Sequence, residues 1–94
     1  MRKSSYGRMR ERQRAEEMHA ARSVLMARSL GRCEAAVSPQ CTGVGAHAHH
    51  VRMRSQGGTN EPENLLLVCL FCHSHIHHNP ADSYERGFLK RSGL

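Results

Sequence analysis

Four cysteines set the tightest limit on how this chain can fold. Cys69 and Cys72 form a compact Cys-x-x-Cys pair, while Cys33 and Cys41 enclose seven residues and form a looser one. The chain has 94 residues, 38% of them hydrophobic and 4% aromatic, with no Trp. A chain this short is one domain at most and buries only roughly 60 to 65% of its unfolded surface. With that composition a large conventional core is not expected, and a structural metal or disulfides are the expected remedy. Met1 to Arg14 is dominated by Arg and polar residues and lacks the apolar stretch of a signal peptide, so the reducing cytoplasm is the expected location. There metal thiolates outrank disulfides, with disulfides or free thiols as the alternative. Four thiolates around one Zn²⁺ carry a net charge of about −2, fill every coordination position and leave no room for substrate. Such a site holds a fold together and does no chemistry. No stretch reaches the length of a transmembrane helix, so no membrane partner is expected.

The formal charge of +6 is unevenly placed. Met1 to Arg32 holds nine basic residues against three acidic ones, whereas Cys33 to Leu94 holds five of each. A basic arm on a neutral remainder is an electrostatic handle for nucleic acid, because phosphate neutralisation supplies most sequence-independent affinity. Arg8, Arg10, Arg12 and Arg14 are its candidate contacts. A solvated helix with a disordered tip is the plainer reading of the same charges.

Three parts are expected along the chain: a flexible basic tail over 1–7, a basic to amphipathic helix over 8–30 and a compact domain over 31–94. Arg8 to Leu30 contains neither Pro nor Gly and is rich in helix formers. Met18, Ala21, Val24 and Leu25 recur at helical spacing, which predicts an apolar face on the second half, ended by Gly31. Ser38-Pro39 predicts a turn that folds Cys33 toward Cys41. His47 to Met53 reads as a strand entering the Gly57-Gly58 turn, with a second strand near Leu65-Leu66-Leu67-Val68. Leu65 to Val68 and Phe71 are the expected core. Cys72 to His78 reads as a short helix stopped at Asn79-Pro80, and Asp82 to Arg86 as a further helical turn closed by Gly87, with Tyr84 and Phe88 packing there.

Eight histidines are too many for core filling, and they cluster. Adjacent His49 and His50 on a strand point to opposite sides, so one can ligate a metal while the other does something else. His73 and His77, one turn apart on a helix, share a face and form a two-tooth clamp. Three imidazoles leave a divalent cation open positions for a phosphate oxygen and a leaving group. His47, His75 and His78 read as exposed residues rather than ligands.

In order and spacing, these residues resemble the HNH endonuclease family. The resemblance runs from Arg32-Cys33-Glu34 through Cys41-Thr42-Gly43, His49-His50, Arg54 to Gly58, Glu63-Asn64-Leu65 and Cys69 to His73, and on past His77 to about Gly87. Two Cys pairs outside the central motif are a feature of the small enzymes of this kind encoded by bacteriophages. The resemblance implies a small α+β fold: a ββα-metal (His-Me finger) core stapled by a four-cysteine zinc site and preceded by the basic helix. It implies His50 as general base, His49 and His73 as ligands of a catalytic metal with His77 as a further one, and Asn64 as a brace whose amide holds the loop of the base. Arg54, and with it Arg52, would contact phosphate. The implied cofactors are one structural Zn²⁺ and one catalytic divalent metal, Mg²⁺, Mn²⁺, Ni²⁺ or Zn²⁺. The implied partner is DNA, beside a phage terminase or packaging protein, in the host cytoplasm. A zinc-stabilised nucleic-acid-binding module without catalysis is the alternative.

Overall fold

A computed structural model of the chain describes residues 5–91, with side chains over 9–91. Residues 1–4 of the expected tail and the side chain of Arg8 lie outside the described residues. The elements in order are helix α1 (Ser5–Ser29), strand β1 (His47–His50), strand β2 (Leu65–Val68), helix α2 (Leu70–His78) and helix α3 (Pro80–Arg86). This is a small α+β fold in which α1 precedes a ββα unit.

Strand β2 organises everything else. Its four consecutive apolar residues bury both faces of a two-stranded sheet: Leu65 and Leu67 pack with Ala21 and Leu25 of α1, while Val68 packs with Cys69, Cys72, Ile76 and Leu89. A strand with helices on both faces has no polar side to present, which is why no alternation appears in its sequence. β1 pairs with it antiparallel in the register His47 to Val68, Ala48 to Leu67, His49 to Leu66 and His50 to Leu65. Strand alternation then puts His49 on the α2 side and His50 on the α1 side.

α1 begins earlier than the sequence predicts, at Ser5. It ends after Ser29 in a turn with Leu30 (φ 57°) and Gly31 (φ 76°) both left-handed, Gly31 N donating back to Met26 O. Besides the Ala21 and Leu25 contacts, α1 is tied down by an ion pair. Arg28 grips Glu34 through two hydrogen bonds of 2.8 and 2.6 Å and also donates to the carbonyls of Pro62 and Leu65. Glu34 in turn bonds Leu67 in both directions, its amide to Leu67 O at 2.7 Å and its carboxylate from Leu67 N at 2.8 Å. It thereby covers the free edge of β2 as a short strand would. Burial opposes ionisation of Glu34, but Arg28 and the Leu67 amide outweigh it and hold the carboxyl below its ordinary value.

Four expectations need correcting. Val24 is 49% exposed, because α1 turns only Ala21 and Leu25 fully inward. Phe71 is 42% exposed: the inner face of α2 is occupied by Cys72 and Ile76, one turn apart. β1 stops at His50 instead of reaching Met53; Val51 N to Asn64 O is the last backbone bond toward β2, Arg52 forms an isolated parallel bridge with Lys90 through Lys90 N to Val51 O, and the chain then leaves in a 3₁₀ turn at Arg54–Gln56. His47, expected to be exposed, opens β1 half-buried, its ring 5.6 Å from that of His73.

Candidate metal centres and catalytic cleft

The cysteines converge. Cys33, Cys41, Cys69 and Cys72 place their sulfurs within 4.8 Å of one another. All four are free thiols, and the Cys41 and Cys69 sulfurs are 3.9 Å apart. A disulfide needs about 2.05 Å, whereas sulfurs at about 2.3 Å from a tetrahedral zinc lie about 3.8 Å apart. The local structure follows from that demand. Cys41 N bonds Ser38 O, closing the first knuckle at the Ser38-Pro39 turn, and Cys69 caps the N-terminus of α2, its sulfur accepting from Cys72 N at 3.3 Å. Further amides, of Val37 and Ser38 toward Cys72, Gly43 toward Cys41 and Cys69 toward Cys33, aim at sulfur. Such donors offset the excess negative charge of four thiolates. Burial works against ionisation of Cys69, but the amides of Cys72 and Thr42 and the neighbouring thiols lower it to about 6. Burial pushes Cys72, the most enclosed of the set, up to about 12. The donor set fits a structural divalent metal.

The histidines form a second cluster, shared between β1 and α2. His49, His73 and His77 bring their donor atoms within 4.8 Å of one another, with ring centroids 5.0 to 5.4 Å apart. His49 is buried and its Nε2 lies 2.7 Å from Phe88 O. A carbonyl can only accept, so Nε2 carries the proton and the lone pair sits on Nδ1, the arrangement a metal-ligating imidazole requires. Burial first, then the charges of neighbouring histidines, lowers the pKa of His49 even against the Phe88 bond. The same causes bring His73 to about 4. Both rings are thus neutral near pH 7, with lone pairs available to a cation.

These rings floor a cleft of about 330 Å³ that is also lined by Ala48, His50, Met53, Arg54 and Ser55. The loop over it is fastened by Asn64, whose amide accepts from Arg52 N at 2.9 Å and donates to Arg52 O at 3.0 Å and Thr59 O at 2.9 Å. The Gly57-Gly58 pair closes that loop for two different reasons. Gly57 sits at φ 83°, and a Cβ on Gly58 would collide with the Arg52 carbonyl.

Arg54 is exposed and lines both the cleft and a neighbouring groove of about 780 Å³ between α1 and residues 58–62, which Arg10 and Arg14 border. Arg12 is exposed and lines neither, and the Arg52 guanidinium is turned to Arg91 O at 3.2 Å. His75 and His78 stand outside the cluster, His75 half-buried and not exposed as expected, His78 exposed and bonded to Ser74 of its own helix. Three contributions were not legible in the sequence. The Phe88 carbonyl carries no residue signal; Glu34 falls within the family-like stretch but with no role attached; and Asn60, whose Oδ1 lies 2.8 Å from His50 Nε2, is one polar residue in a loop of turn formers.

A two-stranded antiparallel sheet backed by a helix, with a His donor set at the junction and a Cys set at the helix entry, defines a ββα-metal domain. The HNH endonuclease family model matches residues 32–79, and the chain belongs to that family. The domain is therefore of the nuclease type, a class that acts on DNA with a divalent metal. No curated protein and no solved structure matches the chain. Among the described residues, no helix is long and apolar enough to cross a membrane.

Proposed function

We propose that the chain is a metal-dependent DNA endonuclease in which His50 is the general base and His49, His73 and His77 hold one divalent cation. The convergence of those three donors in a cleft shared with His50 and Arg54 carries the reading. Unprotonated His50 takes a proton from water at Nδ1, the nitrogen left free by the Asn60 bond, as the oxygen attacks phosphorus in line. When bound, a divalent metal supplies positive charge to the scissile phosphate and the departing 3′ oxygen. Arg54 anchors a phosphate at the mouth of the cleft, and Asn64 keeps the loop that follows His50 closed. Cys33, Cys41, Cys69 and Cys72 hold a structural Zn²⁺ at the entry of α2.

The groove beside α1 extends the substrate path. Arg10 and Arg14 follow Arg54 along it, which supports contact with phosphates beyond the point of cleavage; Arg8 and Arg12 add charge to the same arm. Arg10→Gln and Arg14→Gln should each weaken DNA binding and reduce the slope of log affinity against log salt by about 1. The two Cys pairs resemble those of phage-encoded members, and processing of a phage genome beside a terminase is the setting that resemblance supports.

Supercoiled plasmid incubated with the protein and Mg²⁺, Mn²⁺, Ni²⁺ or Zn²⁺ tests the activity, with EDTA and His50→Ala as controls. Open-circular product identifies a nickase, linear product a double-strand cutter. Intact plasmid in every metal, alongside retained DNA binding, would replace the enzyme by a zinc-stabilised binding module.

A further inference from the structure

His50 faces α1, a helix that precedes the span matched by the family model, and α1 reaches back to it through one intermediary. His50 Nε2 lies 2.8 Å from Asn60 Oδ1, and Asn60 Nδ2 donates to Glu17 Oε2 at 3.2 Å. Glu17 is on α1 and Asn60 on the loop that closes over the sheet, so the three side chains tie together three separate elements.

The chemistry of the chain of bonds runs in one direction. A carboxylate only accepts, so Glu17 draws the NH₂ end of the Asn60 amide toward itself. That turns the carbonyl end toward His50. A carbonyl also only accepts, so the proton of neutral His50 must sit on Nε2, leaving the lone pair on Nδ1. We propose that Glu17 and Asn60 are positioning residues that set the tautomer of His50, so that α1 is part of the catalytic apparatus as well as a DNA-binding arm. The nitrogen that receives the water proton is then chosen by a carboxylate two hydrogen bonds away. This rests on His50 being the general base, but the tautomer itself is independent of any activity.

Substitutions at position 17 separate orientation from bulk stability. In Glu17→Lys the ammonium draws Asn60 Oδ1, the amide turns over, and its NH₂ faces His50. The proton moves to Nδ1 and the lone pair is misplaced. Long-range ¹H–¹⁵N correlation spectra of the zinc-loaded full chain should show His50 as the Nε2–H form in the wild type and enriched in Nδ1–H in Glu17→Lys. With plasmid as substrate, kcat should fall roughly tenfold in Glu17→Lys and about two- to threefold in Glu17→Ala, which merely frees the amide. Asn60→Asp offers an acceptor that cannot turn over, so it should keep the Nε2–H form and make the rate insensitive to Glu17→Ala. In a His50→Ala background, Glu17→Lys should change kcat no further, whereas a general folding defect would still lower it. An Nδ1–H form in the wild type, or a Glu17→Lys protein with unchanged tautomer, overturns the proposal. If the tautomers behave as stated but His50→Ala cuts like the wild type, the assignment of the base fails and the orientation by Glu17 stands.

Discussion

The cysteine and histidine clusters draw on adjacent residues of α2, Cys72 and His73, yet differ in almost every physical respect. Cys72 is fully buried, packs into the apolar cluster with Val68, Ile76 and Leu89, and lies among backbone amides that point at sulfur. The histidine donors grade from buried His49 through half-buried His73 to exposed His77, and open into a cleft. One site uses every donor inwardly and satisfies itself; the other leaves a side free. A single helix can serve both because consecutive residues point about 100° apart, so a metal that anchors the helix entry also aims the next side chain.

That contrast predicts separable failures, the largest on the cysteine side. Cys72→Ser should lose the structural metal and with it the cooperative fold, since structural zinc sites contribute apparent binding energies of about 10–16 kcal/mol in small domains. Metal analysis and a circular dichroism melt would show zinc below one per chain and no sharp transition; a stable, active Cys72→Ser protein would end the division of roles. His50→Ala should do the opposite, lowering kcat by about 10²- to 10⁴-fold with the melting temperature unchanged. Between the two, His73→Ala should weaken catalytic metal binding more than His77→Ala, because the exposed ring is the more easily replaced by water. Titration of activity against Mn²⁺ would rank them, and an equal loss would make His77 a full partner. Asn64→Ala leaves the Arg52 amide and carbonyl unpaired and should cost about 2 kcal/mol, read as a drop of several degrees in melting temperature together with a slower kcat.

A last expected effect is a pH dependence. The folded pKa of His73 is depressed to about 4, so below the ordinary imidazole value of about 6.5 the unfolded chain takes up the proton first. The contribution of a neutral His73 is present above that value and is lost as pH falls toward 4. With the histidine site emptied by mild chelation, the melting-temperature difference between wild type and His73→Gln should therefore shift against the wild type from about pH 6.5 to about 4. Comparing the two proteins cancels the acid sensitivity of the thiolate site. A difference constant across that window would show that His73 is not desolvated.

Much of the fold was legible because its signals are local. The apolar run Leu65 to Val68, the Asn79-Pro80 stop and the one-turn spacing of His73 and His77 each depend on neighbours in the chain. Phe71 and Val24 face solvent because apolar character, with or without helical spacing, does not say which residue meets another element. β1 ends short of Met53 because Asn64, well beyond His50 in the chain, satisfies the Arg52 amide and carbonyl with side-chain atoms where β2 would have done so, while the segment bridges to Lys90 instead.

By itself the sequence determined the donor chemistry: which residue types could form a closed thiolate site and an open imidazole site, and that a short chain poor in aromatics calls for a staple. Only the tertiary structure decided which faces meet. It put Glu34 on the edge of β2, Phe88 O on His49, and Asn60 with Glu17 against His50. Those contacts join residues far apart in the chain, or use backbone atoms that every residue shares, so no pattern of side chains announces them.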